Sequence, residues 1–274
     1  MSKTAHTLNE QAAAEAFSRQ APLFDNLYSE DLTVQYKRKR VREHVLQYLD
    51  PGSSVLELNA GTGEDTVFFA QQGYTVHATD ISAAMQEKLK EKTLQHKLQM
   101  LISNEICSFT ELEKLSARGP YDLIFSNFAG LNCTSELSKV LHSFDRLVKP
   151  DGLVTLVILP RFCLWELLLV FKGKFKTAFR RFSGSKGAKA HIEGQYFRCW
   201  YYNPSFIKKE MKGSFHTISI EGLCTLVPPS YIEKFAESHP RSFSFLTNLE
   251  NKWRRKWPWR SIGDYYIITL RKKS

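Results

Sequence analysis

Five short apolar runs, at 54–58, 74–78, 98–102, 121–125 and 153–159, alternate along this chain with helix-patterned stretches at 64–72, 82–94, 108–116 and 135–147. Continuous apolar runs of strand length bury both of their faces. Helical returns between them imply parallel neighbours, because an antiparallel pair needs only a tight turn. Two helical patterns come first. The stretch at 8–20 is Ala-rich and carries Phe17; the stretch at 32–49 sets Val34, Val41, Val45, Leu46 and Leu49 on one face with a Lys-Arg-Lys-Arg run outside it. Asp50-Pro51-Gly52 ends the second helix, and Lys149-Pro150-Asp151-Gly152 stops the helix before the fifth strand. Two later strand patterns, 215–226 and 264–270, flank a helical region near 229–256. The sequence therefore predicts a seven-stranded, mostly parallel α/β sheet with helices on both faces. The aromatic and basic stretch that begins at Arg161 interrupts the alternation and reads as a cap inserted after the fifth strand. The expected organisation is 1–160 as N-terminal helices plus binding core, 161–212 as the cap or substrate lid, and 213–274 as the C-terminal elements that complete the sheet.

Composition narrows the class. A chain of 274 residues with 43% hydrophobic and 24% charged residues has the means to build a core, which removes disordered and fibrous alternatives. No apolar run reaches the roughly 18 residues of a spanning helix, since the longest candidate, 162–171, is short and contains Glu166. The first residues lack the apolar stretch of a secretory signal, and the five cysteines form no C-x-x-C pair. These features lead us to expect a cytoplasmic protein without a metal site. The net charge of +10 is concentrated: residues 161–212 hold twelve Lys and Arg against three acids, Glu166, Glu193 and Glu210. Within 161–182 a dense apolar half is followed by Lys172, Lys174, Lys176, Arg180 and Arg181, a pattern that fits a cap helix over a site or a helix resting on anionic lipid.

The chemistry is signalled at the end of the first strand, Glu57-Leu58-Asn59-Ala60-Gly61-Thr62-Gly63-Glu64-Asp65. A small-residue loop between a buried strand and a helix lets a ligand approach the backbone without Cβ clashes. A nicotinamide-type G-x-G-x-x-G counted from Gly61 needs its third glycine at Thr66, and a phosphate loop needs Gly-Lys-Ser/Thr where this chain has Gly63-Glu64-Asp65. Acids at that point disfavour phosphate and favour a cationic or amine-bearing ligand.

This loop resembles the first motif of the class I S-adenosylmethionine-dependent methyltransferases of small-molecule type, E/D-x-G-x-G-x-G, with Asn59 in place of the first glycine. Asn tolerates a left-handed backbone better than other non-Gly residues. Thr79-Asp80-Ile81-Ser82 is similar to the acid that closes the family's second strand and holds the ribose diol, a donor pair that a carboxylate suits. Ser103-Asn104-Glu105-Ile106 resembles the adenine site, and Tyr121-Asp122-Leu123-Ile124-Phe125-Ser126-Asn127-Phe128 the fourth-strand motif bordering the reaction centre. The segment at 16–25 looks like the opening segment of small-molecule members, which closes over the cofactor. The resemblance implies a Rossmann-like fold and S-adenosylmethionine as cofactor, with S-adenosylhomocysteine as product. It implies cofactor contacts from Glu57, Asn59, Ala60, Gly61, Thr62, Gly63, Asp65, Asp80, Ile81, Glu105, Ile106, Asn127 and Phe128. The expected acceptor is a small aromatic or lipophilic molecule.

In the cap, His191, Glu193, Tyr196, Tyr201 and Tyr202 fall where this family builds acceptor pockets, and His191, Tyr196 and Tyr201 are the candidates for a base or an aromatic wall. No obligatory catalytic dyad is readable, because a sulfonium methyl is already electrophilic and asks mainly for alignment. Two other readings compete. The charge admits a nucleic-acid methyltransferase, although Ser126-Asn127-Phe128-Ala129 lacks the Asn/Asp-Pro-Pro-Tyr type motif of amine-directed members. A non-catalytic adenosine-ligand or membrane-surface module on the same fold is the third.

Overall fold

A computed structural model describes residues 5–117 and 119–274. Seven strands form one sheet in the order β3-β2-β1-β4-β5-β9-β8, made of β1 (Ser54–Leu58), β2 (Thr75–Asp80), β3 (Ile102–Ile106), β4 (Tyr121–Ser126), β5 (Val148–Ile158), β8 (Phe215–Leu223) and β9 (Tyr265–Lys272). β1 to β5 pair in parallel, and β9 runs antiparallel between β5 and β8. A separate hairpin, β6 (Ala188–Ile192) and β7 (Gln195–Cys199), lies between β5 and β8 in the chain. The strand order reverses beside β1, so the carboxyl ends of β1 and β4 border the crevice where open α/β sheets take ligands.

Alternation along the strands sorts the core into two layers. Leu56, Leu58, Ile124, Leu156, Ile158 and Ile268 pack on one face against α5 (Leu137–Ser143) and α8 (Pro204–Met211). Val55, Val76, Leu123, Phe125, Val157 and Ile267 pack on the other against α2 (Leu32–Leu46), α3 (Glu64–Gln71) and α4 (Ala83–Gln95), through Val41, Val45, Phe69 and Leu89. Each such aliphatic or aromatic side chain contributes about 1.5–3 kcal/mol by leaving water.

Three departures from the sequence reading shape the site. The third strand lies at 102–106 rather than 98–102, because β3 is an edge strand whose exposed residues Ser103 and Asn104 are polar. The helix expected at 108–116 shrinks to a single 3₁₀ turn at Leu112–Lys114. The N-terminal helix α1 (Ala5–Ser29) continues through Pro22, beyond the 8–20 stretch that the sequence pattern marks. Tertiary contacts hold it helical: the Ser18 and Ser82 hydroxyls lie 2.7 Å apart, and Asp25 Oδ1 accepts from Thr62 Oγ1 at 2.6 Å.

The segment after β5 holds two short helices, α6 (Leu164–Leu168) and α7 (Phe175–Phe179). It is fastened to the sheet by Arg181, whose Nη2 lies 2.7 Å from both Glu166 Oε1 and Asp264 Oδ1. The helices α9 (Phe235–Ser238) and α10 (Pro240–Trp253) fill the excursion before β9. Part of the basic and indole cluster that follows is used in packing, while Trp257 is exposed. Arg254 and Arg255 pair with the buried Glu221, and Lys256 sits 4.8 Å above the Trp253 ring. No helix among the described residues is long and apolar enough to cross a membrane.

Candidate cofactor site

The loop after β1 turns through three left-handed residues, Asn59 (φ 48°), Gly61 (φ 58°) and Gly63 (φ 82°). Asn59 thus adopts the conformation that its substitution for glycine requires. Its side chain also acts: Nδ2 donates to the Asn127 carbonyl at 2.9 Å, and Oδ1 accepts from Ser126 Oγ at 2.6 Å. These bonds tie the ends of β1 and β4 together. A Cβ on Gly130 would lie 2.3 Å from Asn59 Cγ, so the bridge needs glycine there. At Gly61 a Cβ would meet nothing within 4 Å, leaving the loop open on its outer side, whereas at Gly63 it would strike Leu89 Cδ1 at 2.1 Å.

Asp80 closes β2 and organises this loop. One carboxylate oxygen accepts from the Gly61 N–H at 3.0 Å and the other from the Ser82 N–H at 2.8 Å. Burial raises its pKa against the pull of those donors. With Ile81 as a further backbone donor, the carboxylate still has acceptor capacity for a ligand hydroxyl. Beyond β4, Phe128 (φ 47°) and Ala129 (φ 59°) are consecutive left-handed residues. Such strain collects at ligand sites.

A cavity of about 60 Å³ runs between these ends, lined by Asn59, Asp80, Ile81, Phe109, Gly130 and Glu10 among others. It is narrow because α1 lies across it: Ala13, Ala14 and Phe17 form its outer wall. Asp25 completes the strap, since Lys92 Nζ lies 2.8 Å from its second oxygen.

Several expected contacts fall elsewhere. Glu57 points at α3 and accepts from Thr66 Oγ1 at 2.5 Å; burial, reinforced by nearby Asp65, pushes its pKa up to about 8. Asp65 is buried beneath α2, where Arg42 Nε donates at 2.7 Å, Arg38 Nη1 at 3.3 Å and Asn127 Nδ2 at 2.8 Å. Burial alone would raise Asp65, but the two guanidinium groups hold it below the ordinary carboxylate value. All of these donors converge on one carboxylate, so Asp65 braces α2 against α3 instead of facing the cavity. Glu105 and Ile106 also miss it: Glu105 accepts from Ser116 N and Oγ and lies 3.3 Å from His77 Nε2, and Ile106 is exposed. With β3 shifted four residues, Ser108 and Phe109 take the place at the cavity. Glu10, Ser108 and Phe109 were missed because strand register fixed two of them and the third comes from a helix remote in sequence.

The cap candidates are not gathered at the cavity. His191 and Tyr196 lie against each other, ring centroids 4.4 Å apart and planes tilted by 36°, on exposed positions of the β6–β7 hairpin. Tyr201 lies under the Arg181 guanidinium at 5.2 Å, and burial raises its pKa to about 12. A base at pH 7 needs a pKa nearer 7.

Residues 55–152 match a family model described as a methyltransferase domain. The chain is 30% identical over 133 residues to an uncharacterized methyltransferase of Synechocystis, covering 47% of this chain and 59% of that protein. It is likewise 30% identical over 160 residues to the malonyl-[acyl-carrier protein] O-methyltransferase of Pectobacterium atrosepticum, covering 58% and 57%. The chain thus spans less than two thirds of the length of these relatives. Among solved structures, the Burkholderia thailandensis 1,6-didemethyltoxoflavin-N1-methyltransferase with bound S-adenosylhomocysteine superposes with a TM-score of 0.57 at 14% identity, covering 100% of this chain and 93% of that one. Residues 55–152 are thus similar to a methyltransferase domain, and S-adenosylmethionine is the cofactor that such a domain would take. The left-handed loop open at Gly61, the remaining acceptor capacity of Asp80 and the apolar pair Ile81 and Phe109 fit that cofactor.

Proposed function

We propose that the chain methylates a small acceptor, aromatic or lipophilic, from S-adenosylmethionine and releases S-adenosylhomocysteine. When bound, the cofactor supplies a methyl carbon already activated by its sulfonium. The chain's own residues then have three tasks. The 59–63 loop and Asp80 hold the nucleoside end, the strained 127–130 turn positions the acceptor side, and α1 excludes water. Alignment of this kind is worth up to ~7–11 kcal/mol in favourable systems. The observation that carries the reading is that Asn59 from the left-handed loop, Asp80 and Gly130 line one cavity at the carboxyl ends of β1, β2 and β4. Titration calorimetry with S-adenosylmethionine, S-adenosylhomocysteine and NADH tests it. Binding of the first two alone is expected, and Asp80→Ala should weaken it about tenfold or more in a folded protein; absence of binding in folded wild type refutes the reading.

We also propose that 161–182 rests on the anionic cytoplasmic face of a membrane. Phe171, Phe175 and Phe179 are 87%, 58% and 54% exposed, interleaved with exposed Lys172, Lys174 and Lys176. The one acid of the segment, Glu166, is buried and neutralised by Arg180 and Arg181. Exposed rings beside unopposed lysines complement an anionic lipid surface better than water.

A further inference from the structure

Glu10, on the second turn of α1, is 5% exposed and lines the cavity. Its Oε2 lies 3.0 Å from Ser108 Oγ and 2.8 Å from Thr110 Oγ1, both positioned to donate. Its other oxygen, Oε1, is buried with no hydrogen-bond donor among the described residues. A buried carboxylate oxygen without a donor is costly, and the cost persists unless something else supplies the proton. The surroundings define what that is. Asp80, suited to a ribose diol, lies along the same cavity, and Ile81 and Phe109 flank it as apolar surfaces, which suits a flat ring with a polar edge.

We infer that Glu10 Oε1 accepts the exocyclic amine of the cofactor's adenine, so that the helix covering the cavity is also the element that reads the base. The inference rests on the cofactor reading above. Ser108 and Thr110 are positioning residues: by occupying Oε2 they leave Oε1 as the acceptor facing the ring. A 60 Å³ cavity is far below the roughly 300 Å³ at which ligand sites begin, so α1 must withdraw to admit a nucleoside and return to complete this bond. Closure of α1 is thereby linked to the identity of the base.

The test compares S-adenosylhomocysteine with S-inosylhomocysteine, which presents a carbonyl oxygen in place of the amine. Both are titrated into wild type, Glu10→Gln and Glu10→Ala, with circular dichroism and melting curves to establish folding. Gln retains an acceptor for Ser108 and Thr110 and adds an N–H able to meet the inosine carbonyl, so it guards against loss of fold. Wild type should prefer the adenosyl ligand by at least about tenfold, the scale of a charge-assisted bond lost and a repulsion gained. In Glu10→Gln the preference should fall below about threefold, chiefly through tighter inosyl binding. Equal discrimination in wild type and both variants overturns the inference while leaving the cofactor reading intact. Failure of folded wild type to bind S-adenosylhomocysteine overturns both.

Discussion

Gly61 and Gly63 lie two residues apart in one loop, yet the structure assigns them different work, and alanine at each separates the two. Both are left-handed, so either substitution costs about 1–2 kcal/mol of backbone strain. At Gly63 the new methyl adds a collision with Leu89 Cδ1 at 2.1 Å. Leu89 is fully buried in the layer with Phe69 and Val76, so moving its side chain aside disturbs packed neighbours and adds about 1–3 kcal/mol of overpacking. At Gly61 nothing in the protein meets the methyl. Gly63→Ala should therefore cost about 2–5 kcal/mol and Gly61→Ala about 1–2. At roughly 2–4 °C per kcal/mol for a domain of this size, melting curves resolve the difference. The order reverses for binding: the Gly61 methyl projects from the open side of the loop and should weaken S-adenosylhomocysteine roughly tenfold or more by calorimetry. Equal loss of stability in the two variants, or unchanged affinity in Gly61→Ala, would refute the assignment of the loop's two faces.

Two further outcomes follow from burial and charge. The Glu57 carboxyl is raised from 4.5 to about 8, so the stability it contributes as a neutral group is full below 4.5 and is lost as pH rises to about 8. Glu57→Gln stays neutral and still accepts from Thr66; between pH 5 and 8 it should gain stability over wild type, by a few kcal/mol in all. Parallel urea midpoints across that range would count against a raised Glu57. For residues 161–182, flotation with vesicles of phosphatidylglycerol in phosphatidylcholine should retain wild type at low salt and release it at high salt. Phe171→Ser with Phe175→Ser, or Lys172→Glu with Lys174→Glu, should abolish retention; retention on neutral vesicles, or none on anionic ones, would rule out the proposed surface.

What the sequence discloses, and what it conceals, divides along physical lines. The central strands β1, β4 and β5 are buried on both faces, so their apolar runs mark them directly, and the loop after β1 is legible because left-handed backbone admits few residue types. Even the departure at Asn59 carries its own explanation in φ 48°. β3 is different: at the sheet edge one side needs no cover, its residues become Ser103, Asn104 and Glu105, and the apolar run at 98–102 belongs instead to the approach. A four-residue error there puts Glu105 at the cavity, where the structure has Phe109. Charged residues mislead in another way, because pattern does not disclose partners. Asp65 stands in the helix N-terminus where a ligand contact is expected, but Arg38 and Arg42 from α2 claim it. Glu10 is the converse case, an acid in an Ala-rich amphipathic stretch with nothing local to distinguish it. Its role arises only when α1 crosses the sheet edge and sets one of its oxygens against Ser108 and Thr110 and the other toward the cavity. Residues whose function depends on a single local conformation can be read from the chain; those whose function depends on which distant groups satisfy them become visible only in the folded protein.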